Sequence, residues 1–140
     1  MNTEPEKPFQ TLSSRVAYQN PWITVREDTI LRPSGEEGLY GVIEVKDSSV
    51  IVAVDAKERI CLVREYRYAA QKWCWELPMG GIGSDTPLVA AKRELEEEAG
   101  LQASSWHELG SSRMHTGLFT ERQYVYVATD LTKGAAKDAD

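Results

Sequence analysis

The chain has 140 residues, 41% of them hydrophobic, and a net charge of −6. That length supports one compact domain with a real core, and the acidic balance argues against a nucleic-acid partner, whose backbone calls for a basic patch. Two cysteines are too few for a disulfide framework or a zinc site; Cys61, inside Ile60-Cys61-Leu62-Val63, reads as a buried free thiol.

Residues 1–12 are polar, carry two prolines and read as a flexible tail. They show no basic-then-apolar start, so no secretory signal is expected, and no apolar run nears membrane-spanning length. A cytoplasmic protein is the expectation. Arg15 to Gln19 and Trp22 to Leu31 alternate apolar and polar residues and predict two strands broken at Asn20-Pro21. A turn follows at Arg32-Pro33-Ser34-Gly35. Leu39 to Val45, Val50 to Val54 and Ile60 to Arg67 predict three more strands, with turns at Asp47-Ser48-Ser49 and Asp55-Ala56-Lys57-Glu58.

Trp73-Cys74-Trp75-Glu76-Leu77-Pro78 leads into a glycine loop, Met79-Gly80-Gly81-Ile82-Gly83. Asp85 or Thr86 can cap a helix that starts at Pro87, runs to Ala99 and ends on Gly100 in the left-handed conformation. Trp106 to Met114 and Gln123 to Ala128 predict the last strands, and Lys133 to Asp140 a small charged tail. Many strands, one strong helix and further strands predict an α+β domain.

On that helix Leu88, Ala91, Leu95 and Ala99 form one apolar stripe. Glu94, Glu97 and Glu98 share the adjoining arc, and Glu96 lies on the far side, in solvent. Acids at a helix C-terminus oppose its dipole, and Glu94 and Glu98 repel at i,i+4. Arg93 can neutralise Glu97, whereas Glu94 and Glu98 have no basic residue at helical spacing. Hard oxygen ligands gathered without nitrogen or sulfur suit Mg²⁺, or Mn²⁺. A solvated acidic face is the bland alternative; the glycine loop, which lets backbone approach a ligand, weighs against it.

The run Arg93-Glu94-Leu95-Glu96-Glu97-Glu98-Ala99-Gly100-Leu101 behind a glycine loop resembles the Nudix hydrolase signature, G-x5-E-x7-R-E-U-x-E-E-x-G-U with U bulky and apolar. The loop is one residue short, and Asp85 stands at its acidic position. Val63-Arg64-Glu65-Tyr66-Arg67-Tyr68, Trp75-Glu76-Leu77-Pro78-Met79-Gly80-Gly81 and Gly117-Leu118-Phe119-Thr120-Glu121 resemble segments of the ADP-ribose and ADP-sugar pyrophosphatase branch. Thr116 departs from it, standing where that branch usually carries proline. The chain also stops soon after Leu131, where relatives continue with an acidic loop that often supplies the catalytic base, a strand and a helix.

The resemblance implies a Nudix-like mixed sheet core in an α+β fold, with the signature helix on one side and an N-terminal antiparallel strand arm; the early stop leads to the expectation that the C-terminal helix is missing. Its implied organisation is a tail at 1–12, a dimerising arm at 13–41, the Nudix domain at 42–132 and a tail at 133–140. It implies Mg²⁺-dependent hydrolysis of a nucleoside diphosphate linked to another group, in a homodimer. Metal ligands would be Glu94, Glu98 and the carbonyl of Met79; Glu97 would act on water or a second metal, oriented by Arg93. Arg67, the Gly81 backbone and Glu121 would contact substrate, and Trp22 or Tyr40 would stack on a base or sugar. The alternative is a nucleotide-sugar binding module without turnover. His107 and His115 read as surface or packed histidines.

Overall fold

The computed structural model describes residues 7–134, which fold into two compact units. One comprises the chain up to Val45 together with His115–Thr120. Its strands β1 (Gln10–Gln19), β2 (Ile23–Leu31) and β3 (Glu37–Val45) form an antiparallel sheet in that order. The break at Asn20-Pro21 is an Asx turn: Asn20 Oδ1 accepts the amides of Trp22 and Ile23, each at 2.9 Å. Gly35, at φ 84°, closes the next turn by donating its amide to the Arg32 carbonyl. Residues 10–12, expected in the tail, belong to β1, where Gln10 and Thr11 pair with Leu31 and Ile30. Asp28 is buried on β2 and accepts from Ser14 Oγ at 2.6 Å and Arg26 Nε at 2.9 Å; Arg26 also pairs with Glu44. The loop 115–120 hangs on β3, through Ile43 N–H to the Leu118 carbonyl and Tyr40 Oη to the Gly117 carbonyl.

The second unit holds Lys46–Met114 and the chain from Glu121 onward. Its strands are β4 (Ser48–Ala53), β5 (Val63–Arg67), β6 (Lys72–Glu76), β7 (Met79–Gly81), β8 (Leu101–Ser112) and β9 (Gln123–Lys133), with helix α1 (Pro87–Ala99) between β7 and β8. A mixed sheet runs β7-β4-β9-β8, with β4 and β9 parallel and the other pairs antiparallel; β5 and β6 make a separate hairpin. The α+β class is as expected, and α1 is the one α-helix among the described residues. None of their helices is long and apolar enough to cross a membrane.

Several boundaries move. Ser48 and Ser49, expected in a turn, open β4 and are buried. Their hydroxyls find partners inside: Ser49 Oγ donates to the Pro87 carbonyl at 2.7 Å and Ser48 Oγ to Glu121 at 2.6 Å. Met79–Gly81, expected as loop, pairs with β4 as a short strand. β5 starts at Val63 rather than Ile60, which keeps one isolated bridge to Val54. β8 starts at Leu101 rather than Trp106, and β9 continues past Ala128 to Lys133 because the two strands pair along that whole length. The rest of the expected C-terminal tail, 135–140, lies outside the described residues, as do 1–6.

Helix α1 has the limits its sequence dictates. Thr86 Oγ1 accepts the Val89 amide, Pro87 is the first residue, and Gly100 sits at φ 63°. Its inner face packs Ala91 and Leu95 on Ile51, Ala53, Tyr126 and Ala128, with Leu88 and Ala99 partly buried beside them. Alanines at 90 and 91 bring the helix close to β4, and Leu95, fully enclosed, contributes about 1.5–3 kcal/mol by burial. The buried arc is wider than the apolar stripe because it takes in Glu94 as well.

Candidate active site

The last two turns of α1 face β7 and β5, and three of their carboxylates reach one groove. Gly80 on β7 lies against Glu94, so that a Cβ at position 80 would collide with the Glu94 carboxyl. Glu98 Oε2 accepts the Met79 amide at 2.9 Å, one residue earlier on β7. Across from them β5 brings in Glu65. The groove, about 460 Å³, is lined by Glu65, Glu94, Glu97 and Glu98 together with residues 61–64 and Ala99. Cys61 is among these; it is a free thiol pushed up by burial, only partly covered rather than fully buried.

Arg93 ties these pieces together. It donates from Nη1 to Glu97 at 3.0 Å and from Nη2 to the Gly81 carbonyl at 2.9 Å, and it pairs with Glu94 at 2.5 Å and Asp85 at 3.5 Å. Glu94 is therefore not without a cation, as helical spacing had implied: its neighbour Arg93, turned back along the helix, reaches it. Glu96 is not simply solvated either, since it accepts from Gln102 Nε2 at 2.9 Å. Among the described residues, no cation is bonded to Glu98. Burial raises it to about pH 7 against its ordinary 4.5; the Met79 amide and Arg67 oppose the shift, and the charges of Glu65 and Glu94 add to it.

Arg67, expected to grip phosphate, is already held. Its Nε and Nη2 donate to Glu76, the latter at 2.5 Å, and its Nη1 pairs with Glu65 at 2.9 Å. Those partners, Glu76 first, raise its pKa and lock its charge. Glu121 accepts from buried Ser48 and, at 3.3 Å, from Gln123 Nε2. Trp22 is 77% exposed and belongs to the other unit. Tyr40 is likewise in that unit, beside Phe9. His107 and His115 are exposed. Sequence reasoning missed Glu65 and Ser48. Glu65 was detectable by period, since it sits two residues before Arg67 and hence on the same strand face.

The site fits a hard divalent cation by chemistry rather than as a ready-made cage. Among the described residues, no three His, Cys, Asp or Glu side chains form a group that holds an ion as placed. Four carboxylates nevertheless line the groove, and the one thiol beside them, Cys61, is held protonated by burial. The half-buried, cation-poor Glu98 leaves a need for positive charge there.

A single acidic helix docked on a glycine strand of a mixed sheet defines a Nudix-domain protein, and the chain belongs to that family: residues 45–140 match the NUDIX domain model. Residues 9–43 match the nucleoside diphosphate sugar hydrolase N-terminal domain. The chain is 34% identical over 136 residues to the ADP-ribose pyrophosphatase of Mycobacterium tuberculosis (strain ATCC 25618 / H37Rv), covering 96% of this chain and 66% of the relative. It is 30% identical over 124 residues to the CMP-5'-(N-acetyl-N-hydroxy-3-aminopropyl)phosphonate hydrolase of Streptomyces rubellomurinus (strain ATCC 31215), covering 86% and 60%. It thus spans less than two thirds of either relative. The fold matches a solved ADP compounds hydrolase with a TM-score of 0.82 at 21% identity, over 98% of this chain and 76% of that one.

Proposed function

We propose that the protein is a Mg²⁺-dependent pyrophosphatase that cleaves a nucleoside diphosphate linked to a second group, ADP-ribose or another nucleotide sugar, to a nucleoside monophosphate and the phosphorylated partner. The observation that carries this reading is Glu98: a half-buried carboxylate bonded to the Met79 amide, without a bonded cation among the described residues, in a groove shared with Glu65, Glu94 and Glu97. The ADP-ribose pyrophosphatase relative and the N-terminal domain match support the substrate class. In this reading Glu94, Glu98 and the Met79 carbonyl hold the ion. When bound, it neutralises charge developing on the phosphate oxygens. Glu97, fixed by Arg93, orients the attacking water, and the Gly81 backbone and Glu121 contact the substrate. Arg67 reaches a phosphate only by exchanging Glu65 or Glu76 for it, and Trp22 stacks on a base or sugar from the arm. The arm, residues 13–41, makes a homodimer, which sedimentation of the purified chain tests; a clean monomer contradicts it.

That same commitment of Arg67 favours the second reading, a nucleotide-sugar binding module without turnover. A panel of ADP-ribose, ADP-glucose, GDP-mannose, dinucleoside polyphosphates, NADH and nucleoside triphosphates, with Mg²⁺ or Mn²⁺, separates the two. Release of nucleoside monophosphate from at least one compound is expected, with Glu98→Gln slower by at least about a hundredfold, as for loss of a metal ligand's support. Stabilisation by a panel compound with no release from any of them establishes the binder instead.

A further inference from the structure

The corner Asp47-Ser48 joins two loops that lie far apart in sequence. The Asp47 carbonyl accepts the Ile82 amide at 3.0 Å, which fixes the turn following Gly80-Gly81. Asp47 Oδ1 accepts the Arg122 amide at 2.9 Å, and the Ser48 amide donates to the Arg122 carbonyl at 3.0 Å. In register, Ser48 pairs with Gly81 on one side and with Gln123 on the other. Its side chain is 8% exposed, and its hydroxyl donates to Glu121 Oε1 at 2.6 Å. A buried serine in an otherwise Val- and Ile-rich strand is costly unless its hydroxyl has a task, and here it holds a carboxylate.

We infer that Ser48 is a positioning residue for substrate binding: its hydroxyl fixes the Glu121 carboxylate one strand away from the Gly81 backbone, so that both present to the same ligand. The inference rests on the reading of Glu121 and Gly81 as substrate contacts. Gln123 Nε2, the second donor to Glu121, is longer at 3.3 Å, so Ser48 is the closer restraint. Asp47 acts on the backbone of the same loop and makes the corner rigid from both strands.

The test is a double-mutant cycle of Ser48→Ala and Glu121→Gln. ADP-ribose binding is measured by calorimetry in a Glu98→Gln background, where turnover is suppressed, and KM and kcat are measured in the otherwise native chain. Each single change is expected to weaken ADP-ribose binding by about tenfold and to raise KM with kcat within about twofold, the scale of one charged hydrogen bond. The double variant is expected to bind no worse than Glu121→Gln alone, because Ser48 acts through that carboxylate. A purely structural serine would instead lower the melting temperature and give additive losses. If ADP-ribose is cleaved but Ser48→Ala binds like the parent, or the two losses add, this inference falls while the pyrophosphatase reading stands. If ADP-ribose is not bound, this inference falls, and the pyrophosphatase reading falls with it only if no other compound of the panel is cleaved.

Discussion

Gly80 and Glu94 compete for one small volume, and the glycine concedes it. A methyl group at position 80 displaces the Glu94 carboxyl from its place beside β7. Gly80→Ala is therefore expected to weaken Mg²⁺ binding by at least about tenfold, a loss on the scale seen when the support of a metal ligand is disturbed. Metal titration followed by calorimetry checks it, and unchanged affinity refutes it. Glu98 gives a second prediction at this scale. Its folded pKa, about 7, lies above its ordinary 4.5, so the metal-free folded state holds a proton that the unfolded chain has lost. Stability of the metal-free protein should therefore fall as pH rises from about 4.5 to 7, and Mg²⁺ uptake near pH 6 should release close to one proton. Calorimetry in two buffers of different ionisation enthalpy reads that proton directly; an enthalpy independent of buffer would refute the assignment.

Helix α1 was almost fully legible, because its signals are local: Thr86 and Pro87 before it, the apolar stripe within it, Gly100 after it. Gly100 at φ 63° accepts a side chain only with left-handed strain, so Gly100→Ala should cost about 1–2 kcal/mol in a denaturant melt. The strand arm was legible too, through alternation and the Asn20-Pro21 break, yet its polar centre was not. Nothing local marks Asp28 on β2 for burial, and only the sheet places it against Ser14 and Arg26. Those donors, Arg26 first, hold its carboxyl below the ordinary range. The stability it supplies is present above the unfolded pKa near 4 and is lost as pH falls through the lower folded value. Asp28→Asn should therefore destabilise the protein at neutral pH and flatten the acid limb of its pH–stability curve. Urea melts from pH 2 to 7 check it; an acid limb as steep as the parent's would refute it.

At the scale of the molecule, what the sequence hid is what long-range pairing creates. The Asp47-Ser48-Ser49 run has the composition of a turn, and nothing nearby indicates that Glu121 and Pro87, 73 and 38 residues away, will accept its two hydroxyls. Strand period puts Glu65 on the face of Arg67, but that face lines the groove only because the β5–β6 hairpin lies against α1. Arg67 is expected on a phosphate because guanidinium geometry suits one, whereas Glu65 and Glu76 hold it in the folded chain. The helix and its acids belong to the sequence; their partners belong to the topology.

The parallel pairing of β4 with β9 sets Val50-Ile51-Val52 beside residues 125–127. During synthesis this apolar strand emerges long before the segment that will cover its edge, since some seventy residues must follow before β9 exists. Until then its backbone donors and acceptors are open to any passing strand. Helix α1, one wall of the groove, packs on a sheet that is complete only once β9 has paired with β4, so assembly should be late and abrupt rather than gradual. Truncations that stop short of residue 123 are then expected to yield insoluble chains, not partly active ones.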